Sequence, residues 1–167
     1  MTATRSRPPL KTLVAVAGAL ALCACSPSGP PGVDRDELDA QVSKAIGDPA
    51  SCLLIAKAGS GRVLYRYNSA TACDRELPNC TAEGQPQGKM KVKALLEAAA
   101  KDGQPRTLSC SSTADASRGV GWAAGPIKGT DMVYAAMMEG ERSFPGRMMA
   151  ERLEAAFRRA KVSKAAP

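Results

Sequence analysis

Carboxylates are the side chains best suited to acid–base chemistry in this 167-residue sequence, because it contains no histidine. That absence excludes Ser-His-Asp and Cys-His triads and every histidine-based metal site. Asp131, Glu139 and Glu141 lie close together in the sequence and could form a catalytic carboxylate pair. Carboxylates around a turn usually face solvent, so we expect surface charges here. No catalytic residue, cofactor or metal is predicted, since glycine-rich phosphate-binding patterns are also missing.

The amino-terminal segment has the pattern of an export signal. Arg5, Arg7 and Lys11 precede an uncharged apolar run over residues 13–22, as in the basic and apolar regions of a signal peptide. As a helix, this run would span only about 15 Å, half of the roughly 30 Å hydrocarbon core of a bilayer. We therefore expect it to direct export and not to cross the membrane.

The end of this run resembles the lipobox of bacterial lipoprotein precursors. Leu22-Cys23-Ala24-Cys25 supplies an apolar residue, two small residues and then the cysteine that the family lipidates. The resemblance implies a lipid on Cys25, because lipidation at Cys23 would place bulky Leu22 next to the cleaved bond. An ordinary secretory signal with incidental cysteines is the alternative, and a mitochondrial transit peptide is a weaker one. Ser26, in place of Asp, is compatible in this family with an outer-membrane location facing the periplasm.

Composition divides the chain into a signal peptide (1–24), a Pro/Gly/Ser-rich tether (25–32), one domain (33–163) and a disordered tail (164–167). Removing residues 1–24 leaves 20 basic and 16 acidic side chains and changes the net charge from +7 to +4. The remaining basic residues are interspersed with acidic ones and form no stripe with aromatic residues. We therefore expect no nucleic-acid partner.

The four cysteines of the domain predict two disulfides. Cys52, Cys73, Cys80 and Cys110 contain no C-x-x-C pair, and an even number in an oxidising envelope favours disulfides. Three connectivities are possible. We favour Cys73 with Cys80, which would close a short loop around residues 74–79, and Cys52 with Cys110 then follows by elimination.

Hydrophobic periodicity predicts three helices. A capping box at Asp34 and Glu37 begins a helix that ends at Gly47, and helical spacing of apolar residues predicts a second over 92–103 and a third after Pro145.

The predicted strands are 52–58, 62–67, 106–112, 120–127 and 132–138, with residues 69–88 as a loop. The order helix, two strands, helix, three strands, helix predicts a single α+β domain with one antiparallel sheet of about five strands, covered by helices. Five methionines are expected in its core: Met132, Met137, Met138, Met148 and Met149.

Three short segments resemble the sheet ends of serine β-lactamases and penicillin-binding proteins, with class D enzymes nearest. They are the hairpin 61–68, Leu77-Pro78, and Gly121-Trp122 with the small residues that follow. The resemblance implies this topology and, as an alternative function, a degenerate or minimal acyl-transfer enzyme acting on peptidoglycan. The chain departs from the family where chemistry is needed, because it has no S-x-x-K and residues 128–130 read K-G-T instead of K-T-G. The element order also resembles roadblock and profilin-like scaffold modules.

These patterns favour a lipid-anchored envelope protein with a small non-catalytic domain that binds a protein or the cell wall. Without a nucleophile beside an identifiable base, binding asks less of this sequence than catalysis does. We expect the loop residues Asp74, Arg75 and Glu76 to contact the partner, with an exposed sheet edge as the other possible surface.

Overall fold

The computed structural model describes residues 29–163. These residues form an α+β fold with a five-stranded antiparallel sheet, a second sheet of two strands and four helices, which confirms the predicted class and main sheet. The helices are α1 Arg35–Ile46, α2 Ala70–Cys73, α3 Val92–Asp102 and α4 Gly146–Arg159. The strands are β1 Ser51–Lys57, β2 Val63–Tyr67, β3 Leu77–Cys80, β4 Pro86–Met90, β5 Arg106–Ser111, β6 Gly119–Pro126 and β7 Met132–Gly140. The predicted signal peptide, Cys25 and the tail 164–167 lie outside the described residues.

The main sheet has the strand order β2-β1-β7-β6-β5, with every neighbouring pair antiparallel. The central strands β1 and β7 are almost continuously apolar and buried along their length, which is the pattern of strands covered on both faces. The outer strands β2 and β5 are half-buried. Strand position in the sheet therefore follows from the apolar content of each strand.

Two apolar layers cover the two faces of the sheet. On one face α1 and α4 pack against alternate residues of the strands, including Leu53, Tyr65 and Tyr134. On the other face α3 and the small sheet pack against the remaining alternate residues, including Leu54 and Trp122. Because successive strand residues point to opposite faces, the chain builds a three-layer domain.

The segment 69–88, predicted as a loop, contains α2, β3 and most of β4. The Ser69 hydroxyl caps α2 by accepting a hydrogen bond from the Ala72 N–H at 3.1 Å. Prolines and a glycine in the two strands hide the usual strand pattern. The hairpin forms because Leu77 and Cys80 are buried against the face of the main sheet that α3 covers. Local sequence does not reveal this tertiary contact.

The four domain cysteines all form disulfides, but the predicted pairing is wrong. The bonds are Cys52–Cys73 and Cys80–Cys110. Cys73 is the last residue of α2 and bonds Cys52 on β1, whereas Cys80 is the last residue of β3 and bonds Cys110 on the edge strand β5. The extended strand β3 therefore separates Cys73 from Cys80. Segment 73–80 is consequently fastened to the main sheet at both ends. Closing loops of 21 and 30 residues stabilises a domain by roughly 3 kcal/mol per bond.

Helix α4 begins in close contact with the sheet. A Cβ at Gly146 would clash with the carbonyl oxygen of Trp122 and with the Leu108 backbone, and the Gly146 N–H donates to the Ser109 hydroxyl at 2.8 Å. Four of the five methionines are buried as predicted. The prediction for Met148 is wrong, because it lies on the outer side of this helix and is 41% exposed.

Candidate partner-contact site

The two ends of the central strands carry different groups. Strand β7 pairs with β1 from Met132, opposite Lys57, to Met138, opposite Ser51. A nine-residue strand is about 27 Å long. We call the end near Lys57 the tether end, because residues 29–33 lie there, and the opposite end the distal end.

A buried carboxylate, Glu139, organises the distal end. Its side chain is 6% exposed and accepts two hydrogen bonds from Arg118, through Nε at 2.9 Å and Nη2 at 3.0 Å. Arg75 Nη2 donates at 2.9 Å and the Ser112 hydroxyl at 3.0 Å. Glu139 therefore joins the segment between α2 and β3 to the loop between β5 and β6.

These contacts hold Glu139 in its charged form. The hydrogen bonds from the Arg118 guanidinium are the main cause that lowers the pKa of Glu139 from 4.5 to about 2. Burial opposes this shift, and the hydrogen bonds from Arg75 and Ser112 add to it. The Arg75 and Arg118 side chains remain 37% and 41% exposed. The outer sides of both guanidinium groups can thus still meet a polar partner.

The predicted contact residues lie at this end. Asp74 and Glu76 are exposed on either side of Arg75, whose guanidinium bonds Glu139. Trp122 Nε1 donates to the Pro78 carbonyl oxygen at 2.9 Å, so the segment is also held to the sheet between its two disulfides. We define the distal surface as residues 74–76 together with the loop 112–118.

Glu139 is buried, so the prediction that it is a solvent-facing charge is wrong. Arg118 and Arg75 lie 21 and 64 residues away, so no spacing pattern connects them to Glu139. A signal did exist, because Glu139 continues the apolar run of a strand that is buried on both faces. An acidic residue in such a position needs a partner.

The acidic residues near β7 do not form the carboxylate pair that was considered. Asp131 lies at the tether end, 73% exposed, with its carboxylate 3.4 Å from Lys57 Nζ, whereas Glu139 lies at the distal end. Glu141 is exposed in the turn after β7. The surface role expected for Asp131 and Glu141 is confirmed.

The contact between Ser112 and Glu139 does not make an activated nucleophile. A general base must have a pKa near the working pH to accept the hydroxyl proton efficiently, and that of Glu139 is about 2. The hydroxyl instead serves as one donor to a structural carboxylate.

The K-G-T segment has a structural role in the turn between β6 and β7. The Thr130 hydroxyl donates to the Ile127 carbonyl oxygen at 2.8 Å, and Lys128 Nζ lies 3.0 Å from Glu154 on α4.

Comparison of the chain with protein-family models, curated proteins and solved structures found no significant match. The resemblances to β-lactamases and to roadblock modules therefore stay predictions.

Among residues 29–163, no helix is long and apolar enough to cross a bilayer. The same residues contain no group of three or more Cys, Asp or Glu side chains placed to hold a metal ion.

Proposed function

We propose that this protein is a lipid-anchored component of the bacterial envelope that binds a protein or peptidoglycan through its distal surface. The observation that carries the proposal is the fastening of two separate loops at one end of the domain. Two disulfides hold segment 73–80, and Glu139 bonds Arg75 and Arg118 across the two loops.

Rigidity favours a binding role for this surface. Loops that are ordered before association lose less conformational entropy when they bind, which leaves more of the contact energy as affinity. Disulfides and ion pairs hold the polar groups of this surface in fixed positions, which suits recognition of a polar partner. Asp74 and Glu76 offer hydrogen-bond acceptors, and Arg75 and Arg118 offer donors.

The position of the tether supports the same function. Gly29 bonds β2 at the tether end, and Cys25 is four residues before it. A lipid on Cys25 would hold the tether end at the membrane and direct the distal surface into the periplasm, about 27 Å farther out along β7. Partners in the cell wall or on other envelope proteins would then meet the distal surface first.

Anchoring is tested by metabolic labelling with a fatty-acid analogue. Cys25→Ala should abolish the label and Cys23→Ala should retain it. Label that persists in the Cys25 variant would refute the anchor.

Binding is tested by photo-crosslinking in cells from single positions. A photoreactive amino acid at Asp74, Glu76 or Ser117 should capture one discrete envelope protein or peptidoglycan fragment. The same amino acid at Lys101, an exposed residue at the end of α3 nearest the β1–β2 hairpin, serves as the matched control. Equal products from Lys101, or none from the distal positions, would contradict the proposal.

A further inference from the structure

The tether end contains an open cleft with a volume of about 800 Å³. The β1–β2 hairpin, the β6–β7 turn, the end of α4 and the segment 31–33 form its walls. It lies at the opposite end of β7 from Glu139 and therefore does not belong to the distal surface.

Positive charge predominates in this cleft. Its charged lining residues are Lys57, Arg62, Lys161 and Asp131, which sum to two net positive charges. Lys57 Nζ lies 3.4 Å from the Asp131 carboxylate but its side chain is 51% exposed, and Arg62 and Lys161 are exposed, so all three side chains are open to a ligand in the cleft.

The positive charge does not extend around the whole tether end. The neighbouring depression contains Asp34 and Glu37 as well as Arg159 and Lys161. The Asp34 carboxylate caps α1 by accepting from the N–H groups of residues 36 and 37. That depression has two acidic and two basic lining residues and so no net charge, unlike the cleft.

Chain length places this cleft beside the predicted anchor. The Gly29 N–H donates to the Leu64 carbonyl oxygen at 3.0 Å, and Pro30 is buried, so residues 29–33 lie against the domain. Gly29 is four positions after Cys25, and four residues of extended chain reach at most about 14 Å. Lipid attached to Cys25 would consequently keep the cleft close to the headgroup layer.

We propose that the cleft receives the headgroup of an anionic phospholipid from the membrane that holds the anchor. This inference rests on the proposed lipidation of Cys25. Lysine and arginine donate charge-assisted hydrogen bonds to phosphate oxygens, and attraction to an anionic surface acts within about 10 Å, the screening length at about 0.1 M ionic strength. The contact would orient the domain so that the distal surface faces outward.

The test is lysine acylation of the mature protein in nanodiscs, quantified by peptide mass spectrometry. Discs of phosphatidylcholine alone are compared with discs of an equal phosphatidylglycerol and phosphatidylcholine mixture. We expect acylation of Lys57 and Lys161 to slow several-fold in the anionic discs. Lys89 and Lys93, which are exposed on β4 and α3, should react at the same rate in both.

Charge variants that keep both reporter lysines sharpen the test. Arg62→Gln should weaken the protection by up to about fivefold, and Asp131→Asn should strengthen it by a similar factor, as expected for one charge at an anionic surface. Arg142→Gln removes the same charge as Arg62→Gln from an exposed position at the distal end, and it should leave the protection unchanged.

Several outcomes would overturn the proposal. The first is that the anionic discs protect Lys57 and Lys161 no more than Lys89 and Lys93. The second is that phosphatidylcholine discs protect them as well as anionic discs do, and the third is that Arg62→Gln and Arg142→Gln weaken the protection equally. Protection produced by inorganic phosphate in phosphatidylcholine discs would assign the cleft to free phosphate. If the mass of the intact protein before lysine labelling shows no lipid, the anchor is refuted. If the protein carries the lipid but all its lysines react at the same rate in both discs, the headgroup contact alone is refuted.

Discussion

Replacing Glu139 by Gln should destabilise the domain, and by an amount that depends on pH. The substitution preserves side-chain size and one acceptor oxygen but removes the charge that Arg118 and Arg75 share. Both guanidinium groups would then lose their common carboxylate, and the two loops of the distal surface would lose their link.

The lowered pKa of Glu139 sets the scale of the charge effect. The contacts of this carboxyl lower its pKa from the ordinary 4.5 to about 2, and one pKa unit corresponds to about 1.4 kcal/mol. The full shift therefore corresponds to about 3 kcal/mol. Solvent screens the partly exposed arginines, so we expect a loss of about 1 to 2 kcal/mol in the free energy of unfolding at pH 7.

The sign of the pH dependence follows from the lowered pKa. A carboxylate with a depressed pKa in the folded state contributes its full stabilisation above about pH 4.5 and loses it as the pH falls towards 2. The difference between the Gln variant and the parent should thus be largest at neutral pH and should disappear near pH 2.

Urea unfolding with the disulfides intact, at neutral pH and near pH 2, measures this difference. Glu151→Gln is the matched control, because Glu151 pairs with Arg147 on the exposed side of α4 and should contribute little. Combining Glu139→Gln with Arg118→Ala should cost clearly less than the sum of the single losses. A Gln variant as stable as the parent at pH 7, or additive losses in the double variant, would refute the role assigned to Glu139.

Three further predictions concern the fold. Gly146→Ala should cost about 1 to 3 kcal/mol in unfolding free energy, because a Cβ there meets the backbone of β5 and β6; an unchanged melting temperature would contradict the close contact. Trp122→Phe should destabilise by about 1 to 3 kcal/mol in thermal unfolding, since it leaves the Pro78 carbonyl without its donor, and a neutral result would count against that hydrogen bond. Non-reducing peptide mapping should recover Cys52–Cys73 and Cys80–Cys110, and any other pairing would show that segment 73–80 is held differently.

Local sequence determined most of the secondary structure of the main fold. The helical spacing of Leu95, Leu96 and Ala99 predicts one buried face of α3, and all three are buried. The strand pattern of β2 was readable for the same reason, since side-chain direction repeats every two residues in a strand. Strand β1 was predicted instead from a short, continuous apolar run before a Gly-Ser-Gly turn. Such periodicities depend only on neighbouring residues, so they survive without knowledge of the tertiary structure.

The disulfide pairing and the partners of Glu139 were decided only by the tertiary structure. Sequence proximity favoured Cys73 with Cys80, but α2 and β3 lead those cysteines to different strands of the sheet. Likewise, Arg75 reaches Glu139 only because β7 ends beside the segment between α2 and β3. Contacts between residues far apart in the chain depend on how whole elements pack, and no local spacing records that arrangement.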